Sequence, residues 1–162
     1  GFENLEISHE DISEYYPYIV KDGERPDIIS YNQYETVAFA YLILLINDIQ
    51  DPIFDWPLST QQFEQFIMNK YGSLDSAMVT TKNYYQIIRA EVPRTGIAER
   101  IPEVKFIVDE TTYNSLDQTL RTTQTEYDWE EELNNDKKEI RLINPNFIHD
   151  IDYQVKQYFT SA

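Results

Sequence analysis

The chain has 162 residues, no cysteine, 41% hydrophobic side chains and a formal charge of −16 from 29 acidic and 13 basic groups. That length allows one ordinary domain or two small ones around a real core, and the missing cysteines exclude disulfides, thiolate nucleophiles and thiolate metal sites. The acidity argues against binding nucleic acid or an anionic membrane, because both are held mainly by Lys and Arg.

The acids crowd the front, where residues 1–56 hold 12 Asp and Glu against only Lys21 and Arg25. They either keep the protein soluble or form a face that docks on a basic partner. The opening GFENLEISHE is acidic and lacks an apolar h-region, so no secretory signal is expected, and Leu5 stands where a myristoylation signal needs Ser or Thr. The longest apolar run, residues 37–46, is far shorter than the roughly 18 residues of a membrane span. A soluble protein of a cytosol-like compartment is the expectation.

Residues 1–14 are polar and read as an arm ordered only when something holds it. A first unit, residues 15–72, opens with YYPYIVKDGERPDIIS, in which Tyr18-Ile19-Val20 predicts a short strand and Asp22-Gly23 a turn. Pro26 and Asp27 suit the first turn of a helix running to about Tyr34. A second helix is expected from about Thr36 to Ile46, enclosed because it is apolar on all sides, with Asn47 as a left-handed stop. In the following DPIFDWP, Asp51 and Trp56 each precede a proline, which stiffens the loop. Leu58 is expected in a second strand, and Ser59 to Gln62 spell a capping box. Phe63, Phe66, Ile67 and Tyr71 share one face of the next helix, which Gly72 ends.

The remainder, residues 73–162, reads as a β-rich part with a C-terminal helix. Strands are expected over 83–92 and 103–110, joined by the Pro93 to Pro102 loop, followed by a short helix near 111–118. In the next strand Thr123, Thr125, Tyr127 and Trp129 alternate onto one side. A turn at Asn134 to Lys137 leads to a strand through Ile140 and Leu142. Asn144 then caps a last helix striped by Phe147, Ile148, Ile151, Val155 and Phe159. The fold class is α+β.

Catalytic chemistry finds little purchase. Glu130-Glu131-Glu132 and the pair Asp150/Asp152 are candidates for two-carboxylate hydrolysis, which needs carboxyl groups about 5–10 Å apart in a cleft, and nothing in the sequence indicates a cleft. His149 with Asp150 and Asp152 converges poorly as a metal set, and no G-x-G-x-x-G, P-loop, G-x-S-x-G or HExxH pattern occurs. No catalytic residue, metal ligand or cofactor is expected. The 13 tyrosines suit either half-buried core positions or surfaces that lose their water on assembly.

Residues 18–58 resemble a LysM module in the strand Tyr18-Ile19-Val20, the Gly23-Glu24 turn, Ile29-Ser30, Tyr34, Asn47-x-Ile49 and Pro52, implying a βααβ unit. Glu24 stands where aspartate is common and Glu35 where glycine is frequent. The longer pattern, YIVKDGERPDIISYNQY, then LILLINDIQDPIFDWPLS, then EYDWEEELNNDKKEIRLINPNFI before a terminal helix, resembles the baseplate wedge protein of T-even-type contractile phages, known as gene product fifty-three.

That resemblance implies a non-enzymatic virion subunit, assembled in the host cytoplasm and present in multiple copies in a symmetric tail baseplate. It would contact other wedge and hub proteins rather than nucleic acid or membrane. Candidate interface residues are Tyr16, Tyr18, Asn47, Asp48, Asp51, Ile53, Phe54, Trp56, Tyr127 and Trp129. The loop from Asn47 to Pro57 presents Ile53, Phe54 and Trp56 either to a neighbour or to the chain's own C-terminal part. If a neighbour takes them, Trp56→Ala leaves the fold intact and lowers assembly. The rival expectation is a LysM-type module that binds peptidoglycan or chitin fragments.

Overall fold

The structure, a computed structural model, describes residues 14–161. Apart from Glu14, the expected N-terminal arm lies outside the described residues. In chain order the elements are β1 (Tyr15–Ile19), α1 (Pro26–Tyr34), a 3-10 turn (Val37–Phe39), α2 (Ala40–Ile46), α3 (Thr60–Tyr71), α4 (Leu74–Val79), β2 (Thr81–Arg89), β3 (Val104–Val108), α5 (Glu110–Ser115), a second 3-10 turn (Gln118–Leu120), β4 (Arg121–Thr125), α6 (Glu126–Lys138), β5 (Glu139–Ile143) and α7 (Ile148–Ser161). This is an α+β protein. By their contacts the described residues part into two compact units, those up to Phe63 together with those from Leu133 onward, and Glu64–Glu132.

In the first unit β1 pairs antiparallel with β5, Tyr15 opposite Ile143 and Ile19 opposite Glu139. The strand expected at Leu58 does not form, so a contiguous βααβ module over 18–58 is not what closes this sheet; the strand opposite β1 comes from residues 139–143. Leu58 instead gives both of its backbone groups to one side chain. Its N–H donates to Asn134 Oδ1 at 2.8 Å, and Asn134 Nδ2 donates to its carbonyl at 3.1 Å.

Helix α1 starts at Pro26 with Asp27 in its first turn, as the dipole favours. It ends on Glu35, whose φ of 61° is left-handed and whose N–H returns to Tyr31 O at 2.9 Å. The second helix begins as a 3-10 turn capped by Thr36, whose hydroxyl accepts from Ala38 N at 3.2 Å. It is enclosed on one side only: Leu42, Ile43 and Ile46 are buried, while Val37 and Tyr41 are exposed. Asn47 is not its left-handed stop. Its side chain is held by Ile43 O at 2.8 Å, its φ stays at −99°, and the reversal passes to Asp48 at φ 53°.

Two clusters make the core of this unit. Phe39, Leu42 and Ile46 pack with Tyr15, Ile143 and the α7 residues Ile148, Ile151 and Val155. Ile43, at the margin of the same buried side, joins the second cluster with Val20, Ile29, Trp56, Ile140 and Leu142. The expected α7 stripe holds through Val155, but Phe159 is exposed and Tyr158 packs in its place. Both lie at helical spacing from Val155, so only the neighbouring surface chooses between them. Asn144 closes a turn, accepting Asn146 N at 3.0 Å, and the helix itself begins at Ile148.

In the second unit β2 is central in a three-stranded antiparallel sheet of order β3-β2-β4. The buried Tyr85 on β2 donates to Gln124 Oε1 on β4 at 2.9 Å, and Gln124 Nε2 donates to Glu132 Oε2 at 2.6 Å. The expected strand carrying Tyr127 and Trp129 stops at Thr125, and α6 absorbs both aromatics together with the turn expected at Asn134 to Lys137. The reason is a cap: Thr125 Oγ1 accepts from Asp128 N at 3.1 Å, with Glu126 and Asp128 in the first turn and Lys137 and Lys138 in the last. Those charges complement the helix dipole at both ends.

Candidate protein interface

The capping box forms as expected, Ser59 N donating to Gln62 Oε1 at 3.0 Å and Gln62 N to Ser59 Oγ at 3.2 Å. Between α2 and this box the chain makes a loop whose polar groups turn inward on its own backbone. Asn47 anchors one end. Its Oδ1 accepts Arg141 N at 2.8 Å and its Nδ2 donates to Arg141 O at 2.8 Å. Arg141 can offer both groups because it lies opposite Pro17, which has no N–H, so its own pair points away from β1.

The tip of the loop is tied by two carboxylates. Asp51 Oδ1 accepts the N–H groups of Ile53 at 2.9 Å and Phe54 at 3.3 Å. Asp55 Oδ2 accepts those of Gln50 at 3.2 Å and Asp51 at 3.0 Å, and Lys137 Nζ donates to Phe54 O at 2.7 Å. With its backbone held from within, the loop carries Ile53 and Phe54 outward, 74% and 73% exposed.

Trp56 goes the other way. Its ring is 7% exposed in the cluster with Ile29, Ile43, Ile140 and Leu142, and Nε1 donates to Glu24 O at 2.8 Å. Of the two recipients open from the sequence, the chain itself takes Trp56, because an indole surrounded by β5, α1 and α2 has both its apolar body and its N–H satisfied. Beside it a pocket of about 640 Å³ opens between Glu24–Asp27 and the stretch from Pro52 to Ser59, with Ile53, Trp56 and Pro57 on its apolar wall.

Tyr16 and Tyr18 pack half-buried against the Trp56 cluster. Tyr16 donates to Gln33 Oε1 at 2.6 Å, and Tyr18 to Glu24 Oε1 and Oε2 at 2.8 and 2.9 Å. Burial, and then the Glu24 carboxylate, push the Tyr18 hydroxyl up to about 12. Glu24 also accepts Lys21 N at 2.7 Å, so this acid braces the β1–α1 turn. Tyr34 is pushed up as well, chiefly by burial, and its hydroxyl donates to Ile143 O at 2.6 Å.

The loop thus unites Asn47, Asp48, Asp51, Ile53, Phe54 and Trp56, with Tyr16 and Tyr18 on β1. Tyr127 and Trp129 sit on α6 within residues 64–132, both half-buried. Sequence reasoning passed over Asn134, Lys137 and Tyr34, each of which acts on a residue far along the chain. A signal for α6 was present, in the Thr125-x-x-Asp128 cap and the acid-to-base gradient behind it.

Of the acids considered for hydrolysis, Glu130, Glu132 and Asp152 have structural partners. Glu130 is 6% exposed and receives Lys70 Nζ at 2.6 Å and the Tyr71 hydroxyl at 2.7 Å. Asp152 pairs with Lys156 at 2.9 Å and accepts the Tyr41 hydroxyl. The His149 ring meets Phe39 edge-on, 5.4 Å between centroids. Among the described residues no group of three or more His, Asp or Glu is placed to hold a metal ion, and no helix is long and apolar enough to cross a membrane.

The site is therefore a loop stiffened by its own side chains, with two bare apolar residues at its tip, and it contains no catalytic or metal-binding arrangement among the described residues. Residues 2–95 match the family model described as base plate wedge protein 53, more than half of the chain, and the chain belongs to that family. It is a structural protein of the phage tail baseplate. No curated protein matches the chain, and the family match lends no support to the glycan-binding alternative.

Proposed function

We propose that this chain fastens wedge subunits to each other and around the central hub, and that the Asn47 to Pro57 loop is a docking surface in those contacts. It acts by protein–protein contact alone, in multiple copies within a symmetric assembly built in the host cytoplasm, without nucleic acid. The observation that carries the reading is the pair Ile53 and Phe54, exposed on a loop whose backbone is already held by Asp51, Asp55 and Lys137. A surface shaped beforehand loses little entropy on docking, and an aromatic that enters a neighbour's pocket contributes about 2 kcal/mol or more. Asp48, exposed and left-handed at the start of the same loop, favours a partner with basic groups at its rim.

The test is Phe54→Ala combined with Ile53→Ser, followed by incorporation into assembling baseplates. Both side chains are bare, so stability should stay within about 0.5 kcal/mol of the parent while incorporation falls. Normal incorporation of the double variant would remove the loop from the docking surface.

A further inference from the structure

The second unit carries an apolar surface that the loop does not account for. In β3, Phe106 and Ile107 are successive residues and therefore point to opposite faces of the sheet, yet they are 58% and 63% exposed. The strand is bare on both faces. Among the described residues it is also an edge, since in the order β3-β2-β4 only one side of β3 is paired.

Proteins commonly protect such an edge with an outstanding lysine. Lys105 is the residue placed for it, but its ammonium lies 4.4 Å from the centre of the Tyr85 ring and 3.9 Å from Glu103, drawn back onto the sheet. The hairpin behind the strand is firmly built: Val92 and Ile101 exchange two backbone hydrogen bonds of 2.9 Å, and Ala98 N closes the turn on Thr95 O at 2.9 Å. Gly96 supplies the positive φ, 58°, that a two-residue hairpin turn needs at its first position.

Charge sets this segment apart. Residues 81–108 hold five basic side chains, Lys82, Arg89, Arg94, Arg100 and Lys105, against Glu91, Glu99 and Glu103, in a chain whose balance is −16. Screening confines each charge to about 8 Å, so a partner lying along the hairpin meets this local excess rather than the acidity of the whole.

We infer that β3 accepts an extended segment of another baseplate protein as a fourth strand, one that alternates apolar with acidic side chains. The source of the segment rests on the baseplate role above; the mode of binding rests on the edge itself. An unpaired strand edge supplies backbone partners to any extended chain, the bare faces at Phe106 and Ile107 call for apolar residues, and the basic excess favours acids between them. A second copy fits less well, because its β3, VKFIV, has no acid to offer and would bring its own Lys105 against the same local basic excess.

Amide hydrogen exchange on the isolated chain and on the same chain within assembled baseplates tests this. The β3 amides directed away from β2 should exchange fast in the isolated chain at every concentration and slow by about a hundredfold or more in the baseplate. Phe106→Glu should keep the isolated fold, because the side chain is exposed, and lower incorporation about tenfold or more, the effect of some 1.4 kcal/mol. Unchanged β3 exchange in baseplates that contain the chain would overturn the inference and leave the loop reading standing. Protection that grows with concentration in the isolated chain would overturn it in favour of a second copy. Baseplates that assemble without the chain would remove both readings.

Discussion

Trp56→Ala separates a side chain that meets a partner from one that holds its own fold. A buried tryptophan covers about 200 Å², which at ~25 cal/mol per Å² gives an upper value near 5 kcal/mol. Large-to-small substitutions of this kind cost about 3–5 kcal/mol once the cavity is included. The lost bond from Nε1 to Glu24 O at 2.8 Å adds about 1 kcal/mol, since that carbonyl is left without its donor. Against a typical total of about 5–15 kcal/mol, the variant should lose roughly a third or more of its stability. Its melting temperature should fall by about 6–20 °C, followed by circular dichroism so that the loss of an indole does not confound the signal. Trp56→Phe, which keeps much of the apolar body, should fall by only part of that. A Trp56→Ala protein that melts within about 2 °C of the parent but no longer enters baseplates would refute the reasoning, because the ring would then be acting on a neighbour.

Asn47→Ala removes the amide that grips both backbone groups of Arg141 at 2.8 Å, and we expect a loss of about 1–3 kcal/mol in urea unfolding, with Asn134→Ala similar through Leu58. Glu35→Gly should stabilise by up to about 1 kcal/mol, because glycine adopts the left-handed φ of 61° without a Cβ penalty; an unchanged or lower midpoint would show that the Glu35 side chain matters more than its strain. Tyr18 has a folded pKa of about 12 against about 10 unfolded, so its favourable contribution is complete below pH 10 and disappears as the pH climbs toward 12. Tyr34 acts in the same direction. Urea midpoints measured from pH 8 to 12 should therefore decline above pH 10, and Tyr18→Phe should flatten part of that decline.

Helix α1, the Ser59 capping box, the β2 and β3 strands and the strand through Ile140 and Leu142 were all legible in the sequence. Each is specified by residues within a few positions of one another, through a proline at a first turn, a reciprocal cap or alternating β-branched side chains. The stretch after Thr125 was misread as strand because alternation of Thr123, Thr125, Tyr127 and Trp129 competes with a cap that needs only Thr125 and Asp128. The stiff, exposed part of the candidate surface, Ile53 and Phe54 behind Asp51 and Pro52, was visible for the same local reason.

What the tertiary structure alone decided is which distant residues complete these pieces. That β1 takes β5 as its partner, that Asn47 grips Arg141 while Asn134 takes Leu58, and that Trp56 turns inward and Ile53 outward all depend on groups brought together from opposite ends of the chain. A residue's own neighbours determine its backbone preference. Whether its side chain meets water, its own core or another subunit is determined by how much apolar surface and how many unpaired backbone groups the rest of the fold places beside it.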